Sequence, residues 1–114
     1  MRIKNRSNGS LLAENAVLCA SPLSKFMGLM FSMDKSRVLV FEFAEEINIS
    51  LHMLFVFYSI DVLFLDRRKT AVDMKKNFMP FTFYSSRAKA KYAIELPAGK
   101  ISKTGTKLGD RIYF

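Results

Sequence analysis

The sequence contains no tryptophan, one cysteine, one histidine and three prolines in 114 residues. A single cysteine excludes an intramolecular disulfide framework. Beside a single histidine it also leaves no Cys/His set for a zinc site, so neither a metal nor another cofactor is expected. Acidic residues are few: ten Asp and Glu stand against eighteen Lys and Arg, for a net charge of +8. Half of the residues are hydrophobic and 13% aromatic, which excludes a disordered or collagen-like chain. No Pro-, Gly- or Ser-rich stretch reads as a linker, and no repeat is visible. Residues 1–114 therefore read as a single domain, long enough to bury roughly two-thirds of the surface exposed when unfolded. The expected setting is reducing and cytoplasmic.

Only one run is apolar enough to suggest a membrane span, residues 47–65. A spanning helix there would carry Asn48, Ser50, His52, Ser59 and Asp61, and one central Asp costs about 3 kcal/mol. The run is rich in β-branched and aromatic residues and Asp61 divides it into strand-length pieces, so two buried strands are expected instead. The basic residues Arg2, Lys4 and Arg6 suggest the start of a signal peptide, but Glu14 and Asn15 interrupt the stretch beyond them, and none is expected.

What is present is mostly strand-forming. Asn8-Gly9 marks a hairpin, with Leu11 to Cys19 as the returning strand. Ser21 and Pro22 suit the N-cap and first position of a short helix near residues 22–29, with Leu23, Phe26, Met27 and Met30 on one apolar stripe. Further strands are expected at Arg37 to Phe43, Leu51 to Phe57, Ile60 to Asp66, through Ala71, Val72 and Met74, and at Asp110 to Phe114. Phe78 to Tyr84 reads as an edge because of Pro80. Arg87 to Leu96 alternates, with Tyr92, Ile94 and Leu96 on one face and Arg87, Lys89, Lys91 and Glu95 on the other. The fold class is mainly β: a compact antiparallel β-sandwich or partly closed barrel with that one helix.

Four stretches carry a family resemblance. These are Ser24–Phe31, with its Gly28-Leu29-Met30; residues 49–55 followed by 60–66; Tyr92–Gly99; and Gly105–Arg111. In this order they resemble the domain of unknown function 192 family (DUF192), in its archaeal form. The resemblance implies a compact, mainly β fold with a short helix and no established activity. Two features depart from the family pattern: a Trp usual near Phe81 or Phe83 is missing, and Arg67-Arg68-Lys69 stands where a Gly usually follows Asp66.

Imidazole chemistry in this chain has to use His52, and Asp61 is the carboxylate to orient it. If residues 51–57 and 60–66 formed a tight hairpin, Leu65 would lie opposite His52 and Val56 opposite Asp61. The two side chains would then share a face but sit about 13 Å apart. The plain reading makes His52 a hydrogen-bonded strand residue and Asp61 an acceptor of backbone N–H groups. Gly99 to Lys107 has the wrong spacing for a phosphate loop and reads as two glycine-permitted turns. Met27, Met30 and Met33 recur every third residue, a pattern that admits Cu(I), but methionine on an apolar stripe is ordinary core filler. Cys19 reads as a small buried hydrophobe.

Charge is unevenly placed. Residues 1–60 carry six Lys/Arg and five Asp/Glu, net +1; residues 61–114 carry twelve and five, net +7. Arg67, Arg68, Lys69, Lys75, Lys76, Lys89 and Lys91 form a candidate surface for a polyanion or nucleic-acid backbone, with Tyr84 nearby for stacking. The same residues also read as a solvated face. The leading expectation is a non-catalytic binding module for a protein partner or small ligand. The alternatives are nonspecific polyanion binding through the basic half, or a small enzyme centred on His52.

Overall fold

The structure is a computed structural model that describes residues 1–21, 28–30 and 32–114. Ten strands are described: β1 (Ile3–Asn5), β2 (Leu11–Ala13), β3 (Val17–Cys19), β4 (Leu39–Ile47), β5 (Ser50–His52), β6 (Ile60–Leu65), β7 (Ala71–Phe78), β8 (Phe83–Ser85), β9 (Ala90–Pro97) and β10 (Ile112–Tyr113). One short helix, α1 (Lys100–Thr104), precedes the last strand. The strands form a five-stranded sheet in the order β3-β4-β9-β6-β7, a three-stranded sheet β10-β1-β2, and the pair β5-β8. The mainly β expectation holds, and among the described residues no sheet closes into a barrel.

The five-stranded sheet organises the molecule because both of its faces are covered. β6 is buried at all six positions, and β9 is buried from Tyr92 through Leu96. Such strands have no solvent side, so their residues divide between two cores rather than between core and water. One core gathers Leu29, Leu39, Phe41, Ile49, Met53, Val56, Val62, Phe64 and Ala93. The other holds Ile3, Leu12, Val40, Leu63, Ile94, Leu96, Ile101 and Ile112 beneath the three-stranded sheet and α1.

Several expectations change in physical detail. Leu11 to Cys19 is two strands in different sheets, and β3 runs parallel to β4, with Val17 opposite Leu39. Residues 51–57 are not one strand and do not pair with 60–66. Only β5 is extended, and His52 lies opposite Phe83 of β8. The chain then turns, with Val56 N–H donating to the Met53 carbonyl at 3.2 Å and Phe55 at φ 56°. The helix expected near 22–29 falls largely outside the described residues; Gly28, Leu29 and Met30 form a turn. In the Gly99–Lys107 stretch the positive φ angles of Gly99 (88°) and Gly105 (67°) bracket α1, a helix the glycine pattern alone does not reveal.

Candidate functional site

A cleft of ≈ 220 Å³ opens on the face of the central sheet that carries the first core. Leu29 and Met30, Phe41 and Phe43 of β4, Leu51 and His52 of β5, Val56 and Glu95 of β9 contribute to its lining. β9 brings Glu95 there. Its cross-strand neighbours are Leu39 on β4 and Val62 on β6, both buried, so the carboxyl has apolar flanks on either side. Glu95 is 4% exposed. Among the described residues no hydrogen bond reaches its carboxyl, and no fully enclosed side-chain oxygen lacks a partner, so the group must open into the cleft. Burial pushes its pKa up to about 8, which keeps it protonated at neutral pH.

Exposed aromatic residues adjoin two of the lining residues along the chain and across the β5-β8 pair. Phe55 and Phe57 flank the lining residue Val56, and Phe83 pairs with the lining residue His52. Phe55, Phe57, Phe81 and Phe83 are all exposed. Phe81 contacts Phe55 and Phe57 edge-to-face, with centroids 6.1 and 5.6 Å apart. Phe55 and Phe81 both adopt left-handed backbone, at φ 56° and 59°. That conformation is costly for a bulky side chain and persists only where the surroundings enforce it. Here the Phe81 N–H donates to the Met53 carbonyl and the Met53 N–H to the Thr82 carbonyl, at 2.8 and 2.9 Å, tying the two loops together.

The residues singled out from sequence are dispersed. His52 is half-buried in the cleft wall, its Nδ1 accepting the Leu54 N–H at 3.2 Å. Asp61 is buried elsewhere: its carboxylate accepts the N–H groups of Asn77, Gly99 and Ile101, each at 3.1 Å, and so caps α1 from β6. Arg67 and Arg68 are exposed in a turn held by Asp66, whose Oδ1 accepts the Arg68 and Thr70 N–H groups. Lys69 supplies that turn's left-handed position at φ 62°. Its Nζ donates to the Phe114 carbonyl at 2.8 Å and lies 3.9 Å from the Phe114 ring centroid. Lys91 pairs with Glu42 at 3.0 Å, and Lys69 and Lys91 both lie against the Tyr92 ring. Lys75 sits over Tyr84, whose hydroxyl donates to Asp73 at 2.8 Å. Burial pushes the Asp73 carboxyl up, but the Arg87 N–H, the Tyr84 hydroxyl and the Met74 N–H outweigh it and hold Asp73 below its ordinary value. Lys76 and Lys89 are exposed.

The profile of DUF192, a family described as an uncharacterised ACR, matches residues 3–114. The chain belongs to the DUF192 family. Among relatives, a UPF0127 protein of Thermococcus sibiricus is 36% identical over 110 residues, covering 95% of this chain and 71% of that one. A UPF0127 protein of Pyrococcus furiosus is 39% identical over 92 residues, covering 79% and 78%. Both sources are archaeal, as the resemblance implied. A crystal structure from Sinorhizobium meliloti, provisionally described as a transcription regulator, superposes with a TM-score of 0.85 at 26% identity, covering 98% of this chain and 89% of that one. A protein of unknown function from Novosphingobium aromaticivorans gives a TM-score of 0.86 at 16% identity, covering 99% and 82%, and shows the shared fold. No described helix is long and apolar enough to cross a membrane.

The DUF192 stretch Tyr92–Gly99 contains the residue that sequence reasoning passes over. Alternation puts Glu95 on the outward, charged face of its strand, and it is buried. A signal is there: Glu95 is the one charge in Tyr92-Ala93-Ile94-Glu95-Leu96, a run that reads as a strand covered on both sides. Of the three methionines spaced for Cu(I), Met27 lies outside the described residues, Met30 is half-buried in the cleft wall and Met33 is 72% exposed.

Proposed function

We propose that this DUF192 protein is a non-catalytic binding module for a small ligand held in the cleft above Glu95. One observation carries the reading. A carboxyl group flanked by Leu39 and Val62 has no hydrogen-bond partner among the described residues and opens into the cleft, so a ligand held there can reach it. The volume suits such a ligand, since a cavity of about 150 Å³ accommodates benzene. The test is direct: protein purified under native conditions is denatured and its small molecules are identified by mass spectrometry. A compound present in near-equimolar amount, and lost when Val56→Trp fills the cleft, supports the reading. Equal retention by the variant, or no such compound, counts against it.

Polyanion contact remains a second reading, supported by the exposure of Arg67, Arg68, Lys76 and Lys89 and by the description of the Sinorhizobium protein as a transcription regulator. The enzyme reading centred on His52 finds its nearby carboxyl candidate in Glu95, which lines the same cleft, rather than in Asp61, which is engaged at α1.

A further inference from the structure

The charge inventory of the cleft is narrow. Among the described lining residues, Glu95 is the one acid and His52 the one basic side chain; neither Lys nor Arg contributes. The positions facing Glu95 from β4 and β6 are Leu39 and Val62, and Gly28, Leu29 and Met30 bring nothing titratable. An anionic ligand would bring its charge into an apolar site without a lysine or arginine to neutralise it. A neutral ligand would give Glu95 a hydrogen bond and no more. An ammonium group supplies both things the carboxyl lacks, N–H donors and the opposite charge. The rings of Phe41 and Phe43 also suit a cation carried on an apolar body.

We propose that the cleft binds a small apolar primary amine as its ammonium ion, with the head group bonded to the Glu95 carboxylate and the body against Leu29, Phe41, Phe43 and Val56. This ligand class rests on the small-ligand reading of the same cleft. Binding displaces a proton. R–NH3+ meets Glu95 as the neutral acid, the O–H bond breaks, the carboxylate pairs with the ammonium, and one H+ passes to solvent. Affinity rises about tenfold per pH unit up to about pH 8, where free Glu95 ionises unaided, and then levels off. His52 is the other titratable group facing the cleft.

The experiment uses the full chain with three probes of matched shape: phenethylamine, phenylacetamide and phenylacetate. Calorimetry at pH 6.5 and 7.5, each in two buffers of different ionisation enthalpy, counts the protons exchanged. Amide chemical shifts locate the site. The expected result is that phenethylamine perturbs Leu29, Phe41 and Glu95, binds about tenfold more tightly at pH 7.5, and releases close to one proton. Glu95→Gln, which keeps the shape without the charge, abolishes the release and weakens binding at least tenfold. Because proton release is read on the unmodified protein, the test does not depend on that variant folding. Perturbation of the same residues by phenylacetamide or phenylacetate, with phenethylamine weaker or releasing no proton, overturns the amine assignment and leaves the small-ligand reading standing. If no probe perturbs the cleft and natively purified protein carries no small molecule, both fall.

Discussion

The Oδ2 atom of Asp61 accepts the backbone N–H of Ile101 at 3.1 Å, across forty residues of chain. The same oxygen accepts the Gly99 N–H, and Oδ1 takes that of Asn77. One carboxylate on β6 thus satisfies the start of α1 and the end of β7 together.

Asp61→Ala leaves those three N–H groups without their acceptor, that of Ile101 in a buried bond and those of Asn77 and Gly99 in part-buried ones. At about 1–3 kcal/mol for each group left unsatisfied, partly relieved by relaxation, a loss of about 3 kcal/mol is expected. Urea denaturation measures it. A loss below 1 kcal/mol would show that water replaces the carboxylate freely.

Glu95 gives stability a pH dependence of definite sign. Its carboxyl titrates at about 8 in the fold against an ordinary 4.5. The folded state therefore binds more protons than the unfolded chain across that window. The contribution is full below pH 4.5 and declines as pH rises towards 8. At 1.36 kcal/mol per unit it is capped at about 5 kcal/mol. Glu95→Gln should remove this slope, and denaturation midpoints at pH 5, 6.5 and 8 for the two proteins are the comparison to make. Parallel curves would refute the shifted titration.

Arg67 and Arg68 separate from Lys69. The two arginines are exposed, whereas the Lys69 ammonium is held by the Phe114 carbonyl and ring. If the basic half contacts polyanions, replacing Arg67 and Arg68 with Gln should weaken heparin retention and flatten its salt dependence with stability unchanged. Lys69→Gln should instead lower stability by about 1 kcal/mol. Unchanged retention in the arginine double variant would remove this turn from any polyanion surface.

Leu29 and Met30 differ in the same way. Leu29 is 3% exposed in the core, while Met30 is half-buried in the cleft wall. Leu29→Ala should cost about 2–5 kcal/mol. Met30→Ala should cost about half as much, because its space is already open to the cleft. Equal losses in thermal or chemical denaturation would contradict the exposure difference.

The sequence is most legible where a strand's neighbours agree with its own pattern. β6 and β9 lie close to their expected places, β6 because it is a dense apolar run and β9 because its residues alternate, and Asp61 serves backbone N–H groups as its plain reading has it. Residues 51–57 mislead because apolar composition alone cannot distinguish a strand from a loop tied down by long-range bonds. Met53 and Val56 are buried while Phe55 and Phe57 face out, and the tie runs to Phe81 and Thr82, far along the chain. Glu95 is misplaced for a related reason. Alternation separates two faces of a strand, but it cannot say that both are covered until the neighbouring strands and the layers above them are known.

The pairing of β1 with β10 also dictates an order of events during synthesis. Lys4 lies opposite Tyr113 and Asn5 opposite Ile112, and Asn5 Nδ2 donates to Asp110 Oδ2 at 2.9 Å across 105 residues. A ribosome delivers Asn5 long before Ile112, so β1 waits through most of the chain's translation with one edge unpaired. Ile3 and Leu12 wait with it, since Ile112 helps to enclose them. Closing so long a loop costs only slightly more entropy than closing a shorter one, but it must come late. Until residue 112 emerges, a nascent chain has to keep this edge away from other nascent chains.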